Sequence, residues 1–194
     1  MQYNALRHTF HANALALALA TALAGFAGTG TAFAANPMVG GAAMFETKNI
    51  VQNAMNSKDH TTLVAAVKHA GLVDTLSGKG PFTVFAPTNA AFDALPAGTL
   101  DSLMKPDMKD KLTKVLTAHV VAGKITGADL ANKAKAMNGM VTLKTVSGDD
   151  LTVKLDGMNL WIVDENGNQA RITIADVEQS NGVIHVVDKV LLPK

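Results

Sequence analysis

No cysteine occurs anywhere in the 194 residues. That excludes disulfides, thiolate metal sites, thiol nucleophiles and lipid attachment at an N-terminal cysteine. A chain without cross-links must be held by its core, and one of ~150 residues can bury well over half its surface. Aromatic residues are scarce: seven Phe, one Trp and one Tyr, 5% of the chain. An excess of one charge is also missing, with 17 Lys and Arg against 16 Asp and Glu. A neutral chain without a basic run lacks the electrostatic footprint of a nucleic-acid binder. It equally lacks the polybasic patch that holds a protein to an anionic membrane. The sequence has no GxSxG elbow, no phosphate-binding P-loop and no GxGxxG opening a helix.

What is present begins with a leader. The first 37 residues, MQYNALRHTFHANALALALATALAGFAGTGTAFAANP, carry a single charge, Arg7. An uncharged apolar run follows from Ala14 to Ala27, then Ala32-Phe33-Ala34. This is the order of a secretory signal peptide: positive n-region, apolar h-region, small-x-small cleavage site. The apolar run is about 14 residues, short of the ~20 that span a bilayer, so a retained anchor is the weaker alternative. The expected cut lies between Ala34 and Ala35. It leaves sixteen basic and sixteen acidic residues and no second apolar stretch long enough to span. The expected location is periplasmic or secreted, without a transmembrane anchor after cleavage.

Residues 35–46 open on ANPMVGGAA, small and Gly-rich, and are expected to form a flexible lead-in. A helical pattern starts near Phe45 and runs through NIVQNAM. TTLVAAVKHA is amphipathic, with Leu63, Val67 and Ala70 on one stripe, Thr61 or Thr62 as N-cap and Gly71 as stop. LVDTL is a further helical turn. FTVFA is a short β-rich run, ended by Pro87, and Thr88 is placed to cap a helix through NAAFDAL. Two more helical pieces follow, around LDSLM and MKDKLTKVLTAH; in the second, Leu112, Val115, Leu116 and His119 share a face. VVAGKI reads as a strand. After Gly139 the period changes: VTLKTV, LTVKL, LWIV, ARITI and VIHVV are short β runs separated by Ser147-Gly148-Asp149, Asp156-Gly157, Asn166-Gly167 and Asn181-Gly182. Helices first and a β-meander second predict an α+β fold.

Three segments carry a family resemblance. GPFTVFAPTNAAF at 80–92 and NGVIHVVDKVLLP at 181–193 closely resemble the paired H1 and H2 motifs of the fasciclin (FAS1) family. Between them, LTAHVVAGKI at 116–125 resembles its central histidine segment. Residues 47–194 thus resemble one FAS1 domain of the bacterial secreted type. The resemblance implies a β-wedge of short, mostly antiparallel strands with N-terminal helices packed against it. It implies a non-enzymatic adhesion or interaction module, without a cofactor, whose partner is a protein, a cell-surface polysaccharide or a matrix component. The alternative it offers is a carrier of a small apolar ligand such as a lipid or pigment.

The candidate interaction or motif residues are Thr88, Asn89, His119, Val120, Val121 and His185. His119 closes an apolar helix face, so its imidazole is expected to be partly buried with a hydrogen-bond partner. Metal binding and direct partner contact are the sharper alternatives. The resemblance points to Thr88 or Asn89 as that partner. Many relatives carry tyrosine before this histidine; here it is Ala118, so the adhesion role tied to a Tyr-His pair does not carry over. His185 is expected to be structural, within a strand. His60 and His69 read as solvated helix-edge residues, and none of the histidines after the leader forms an HxH, HExxH or comparable ligand spacing. Asp149-Asp150 and Asp164-Glu165 read as turn residues; Asp156-Gly157 and Asp164-x-Asn166-Gly167 are faintly similar to calcium loops but lack the ligand ladder and terminal Glu of an EF-hand. Met137 and Met140 read as gap fillers rather than a Cu(I) site. Trp161, in LWIV, reads as core or sheet cover rather than a ligand platform.

Overall fold

A computed structural model describes residues 36–194; the leader expected over 1–34 and its cut lie outside them. Along the chain come β1 (Met38–Val39), β2 (Ala42–Ala43), α1 (Ile50–Ala54), a 3-10 turn at Lys58–His60, α2 (Thr61–Ala70), α3 (Val73–Ser77), β3 (Phe82–Pro87) and α4 (Asn89–Asp93). Then follow α5 (Thr99–Leu103), a 3-10 turn at Pro106–Met108, α6 (Lys109–Ala118), β4 (Val120–Ala122) and α7 (Gly127–Ala136). The chain finishes with β5 (Met140–Lys144), β6 (Asp150–Asp156), β7 (Asn159–Val163), β8 (Gln169–Gln179) and β9 (Gly182–Val187). Every expected strand is present, and the α+β class holds.

The main sheet has seven strands in the order β4-β3-β9-β8-β7-β6-β5. Only β3 and β9 run parallel; the other pairs are antiparallel. The edge strands β4 and β5 nearly meet, through a bridge between Val121 and Thr145 and a Val146 N–H to Val120 carbonyl bond of 2.8 Å. The sheet therefore curls into a wedge. Alternation along β3 and β9 divides two cores. Val84, Ala86, Ile184 and Val186 face the helices. Phe85 and Val187 face the inside of the wedge, with Leu130, Val153 and Ile162. This explains the almost unbroken apolar character of both motifs, since strands buried on both faces cannot alternate with polar residues. Thr83 and His185 are the exceptions, both fully buried; the Thr83 hydroxyl donates to the Gly123 carbonyl (2.7 Å) and accepts the Ile125 N–H (2.9 Å).

The glycines that open the two motifs are set by close approach. A Cβ at Gly182 would lie 2.0 Å from the Phe82 carbonyl oxygen, and one at Gly80 would lie 1.9 Å from that of Asn181. Asn181 is more than a turn former. Its amide donates to the Leu76 and Gly78 carbonyls (2.8 and 3.0 Å), and its oxygen accepts the Ile50 N–H (3.0 Å).

Three local expectations change. Residues 36–46 of the expected lead-in are not loose: β1 and β2 pair, and Val39 and Met44 are buried against the helical core. Small residues there permit a tight turn at Gly40-Gly41, and two apolar side chains suffice to dock it. Helix α2 begins at Thr61, but neither threonine caps it. Asn89 serves instead: its oxygen accepts the Thr62 N–H at 3.0 Å and the Thr61 hydroxyl at 3.2 Å, while its nitrogen donates to the Lys58 carbonyl at 2.8 Å. Helix α7 is not among the expected elements, although Thr126 and Asp129 form a capping box at its start. Its Leu130 and Ala134 are fully buried inside the wedge.

Candidate functional site

His119 lies at the C-terminal end of α6, 3% exposed. Its Nδ1 meets the Val115 carbonyl at 2.7 Å, and its Nε2 accepts the Leu191 N–H at 2.9 Å. The second contact requires a bare Nε2, so the proton sits on Nδ1 and is donated to Val115. Burial pushes the imidazole pKa down from 6.5 to about 4, against smaller opposing contributions from the Val115 carbonyl and Asp164. The ring is neutral, and both nitrogens are committed to backbone. The expected bond to Thr88 or Asn89 is absent because those residues are spent elsewhere. Thr88 caps α4 by accepting the Ala91 N–H, and Asn89 caps α2.

Asp164 works beside His119. It is 6% exposed. One carboxylate oxygen accepts the Asn166 and Asn168 N–H groups, the other the Asn168 side-chain amide and the Leu192 N–H, all at 2.9 Å. Four N–H donors saturate this carboxylate, which therefore offers no lone pair for a cation. His119 and Asp164 thus hold consecutive amides of the segment after β9, where Val190 and Leu191 are buried in the two different cores. This accounts for the KVLLP end of the second motif.

His185 is fully buried on β9 and stacks on Phe85, ring centroids 5.7 Å apart. Its Nε2 donates to the Ile125 carbonyl (2.9 Å) and its Nδ1 accepts the Asp176 N–H (3.2 Å). Burial is the main cause lowering its pKa. Val120 and Val121 are buried, one in each core. Of the six candidate residues, only Thr88 and Asn89 keep partial exposure. Ala118 is buried as well.

Two histidines depart from expectation. His60 is 3% exposed; its Nδ1 bonds to the buried Ser57 hydroxyl at 2.8 Å and its Nε2 has no partner. Burial again lowers its pKa. His69 is half-buried with an unpartnered Nε2. For His60 the reason is that a helix-edge position in sequence says nothing of the β1–β2 hairpin, whose Val39 and Met44 line the same buried space. Among the described residues no three His, Asp or Glu side chains converge.

An apolar cleft lies between α1, α2, α3 and β3, lined by Ile50, Val51, Leu63, Val67, Leu76 and Val84. Its volume is about 40 Å³, several waters' worth and far below the roughly 300 Å³ of a small-molecule site. Met137 and Met140 fill no gap: they are 59% and 53% exposed. Trp161 is half-buried on the outer face of β7, while Ile162 beside it points inward and is fully buried.

A curled sheet whose first and last motifs pair in parallel, with helices on one side, defines an α+β wedge of the FAS1 class. The solved FAS1 domain pair of the insect cell adhesion molecule fasciclin I matches this fold with a TM-score of 0.65 at 22% identity, covering 75% of this chain and 51% of that one. The chain belongs to the fasciclin domain family, whose model matches residues 58–193. It is 48% identical over 156 residues to Protein sll1483 of Synechocystis sp., covering 80% of this chain and 79% of the relative. It is 38% identical over 145 residues to the cell surface glycolipoprotein MPB83 of Mycobacterium bovis, covering 72% of this chain and 58% of the relative. No described helix is long and apolar enough to cross a membrane.

Proposed function

We propose that this chain is an exported, non-enzymatic interaction module that binds a protein, polysaccharide or matrix partner at the cell surface. One observation carries the reading. The two buried histidines of the motif segments, His119 and His185, have both ring nitrogens bonded to backbone groups, and His60, whose Nε2 is unpartnered, is 3% exposed and closed to a substrate. A general base needs a free nitrogen within reach of a substrate proton; these two are structural pins. The relatives add support, since MPB83 is a cell surface glycolipoprotein. The carrier alternative rests on the apolar cleft, which would have to widen by parting α1 from α2 to admit a lipid or pigment. Purified protein added back to cells or matrix of its native host tests the reading. Saturable retention, with intact mass beginning near Ala35 in the exported fraction, is the expected result. Absence of retention, or turnover abolished by changing a histidine, overturns it.

A further inference from the structure

Register on the β5–β8 half of the wedge sorts side chains into two kinds of row. Val141, Val153, Ile162 and Ala170 are directly opposed across the four strands, and all are buried inside the wedge. The adjacent row consists of Met140, Lys154, Trp161 and Arg171, also directly opposed. Opposed residues of antiparallel strands share a face, and successive residues take opposite faces. This second row therefore lies on the outer face, with Met140 and Arg171 exposed and Lys154 and Trp161 half-buried.

The only tryptophan of the chain thus stands on an outward sheet face between two cations on neighbouring strands. Among the described residues neither Lys154 nor Arg171 forms an ion pair. The one cation–ring contact among them is Lys48 over Phe45, so neither cation is spent on the indole. Of the acids nearby, Asp150 is paired with Lys144 at 3.0 Å, Asp188 accepts the Arg171 backbone N–H at 2.8 Å, and Asp156, at the β6–β7 hairpin end, shares this face two positions from Lys154 without an ion pair among the described residues. Flanking positions on the same face are Thr142, Thr152, Val163 and Gln169 on one side, and Asp156 and Asn159 on the other.

We infer that this face, centred on Trp161 with Lys154 and Arg171, is a binding platform for an acidic polysaccharide. The inference rests on the interaction-module reading and names its partner class. An indole offers a flat apolar surface to the C–H face of a sugar ring, while a guanidinium and an ammonium on either side match carboxylates carried by that sugar. Four strands spaced about 4.8 Å apart span roughly 14 Å, room for a short stretch of glycan. A protein partner fits less well, because protein interfaces centre on clustered apolar anchors and are depleted in lysine. Here one aromatic, with only Met140 and Val163 as apolar companions, stands among cations, an acid, hydroxyls and amides.

The single tryptophan makes the test direct. The purified protein is titrated with a galacturonic acid hexamer, following Trp161 emission and, in parallel, heat of binding. A saturable emission change is expected, weakened at least about tenfold between low salt and about 0.5 M salt. A neutral glucose hexamer should bind about tenfold more weakly or not at all. By calorimetry, Trp161→Ala should lose about tenfold in affinity, and Lys154→Gln with Arg171→Gln should abolish the preference for the acidic hexamer. Circular dichroism confirms that each variant is folded. No saturable response to the acidic hexamer, or undiminished binding by folded Trp161→Ala, overturns the platform. Retention on host cells separates the two readings. Equal retention of wild type and Trp161→Ala leaves the interaction module standing and removes this site. Trp161-dependent retention lost when the cells are treated with protease, but not when their glycan is removed, makes the partner a protein and overturns the glycan assignment.

Discussion

The Leu191 N–H donates to His119 Nε2 at 2.9 Å, joining residues 72 positions apart. This bond ties the end of α6 to the segment after the last strand, with both residues buried. Replacing His119 by Ala orphans the Leu191 amide and the Val115 carbonyl and leaves a void. The expected cost is about 1–3 kcal/mol from the unpaired groups alone. Urea denaturation should show a lower midpoint at unchanged slope. An unchanged midpoint would mean that the ring is not the pin described here.

Stability should fall as pH is lowered through the histidine range. The folded-state pKa of His119 is about 4, against 6.5 for an unperturbed histidine. Between those values the unfolded chain holds a proton that the folded chain does not. The contribution is therefore fully present above pH 6.5, is lost as pH falls, and levels off below about pH 4. Its size is roughly 3 kcal/mol, and His60 and His185 act in the same direction. Denaturant midpoints at pH 7 and pH 5 check this. His119→Gln, which does not titrate, should show a shallower dependence.

Asp164→Ala removes the acceptor of four N–H groups, including that of Leu192. Loss of about 1–3 kcal/mol is expected, since hydrogen bonds to a buried charged group are among the stronger ones. Hydrogen exchange provides the specific readout. The Leu192 amide should lose protection more than amides at the centre of β9. Uniform loss along β9 would contradict the local anchoring role.

The β1–β2 hairpin should contribute to stability. Val39 is 4% exposed in the helical core, so Val39→Ala is expected to cost about 1–2 kcal/mol. Thermal melting of wild type and variant tests it. Identical melting temperatures would return residues 35–46 to the flexible lead-in that their composition suggests.

Asn89→Ala should destabilise by about 1 kcal/mol, the usual cost of a lost N-cap, although the residue caps α2 across 27 positions of chain. Chemical denaturation measures the total. Faster amide exchange at Thr62 than at Ala91 would locate the effect at α2 rather than α4.

Sequence by itself determined the α+β class, every strand of the main sheet, the Thr88 cap and the burial of His119. Each depends on short-range rules: alternation, helical spacing, turn residues and a cap placed next to its helix. Even the division of Trp161 from Ile162 follows from alternation. What alternation does not say is which set faces in. That was decided by register against Val153 and Ala170, which places Ile162 inside and leaves Trp161 outside. The same holds for His60, buried by a hairpin that composition presents as loose, and for Asn89, whose partners lie 27 to 31 residues away. His119 needed a partner, as any buried imidazole does, but only closure of the chain's end onto α6 could supply the Leu191 amide. Local propensity acts over a few residues; pairing register and the docking of distant segments are set by the packing of the whole core, and the side chains that face a partner are those that packing leaves outside.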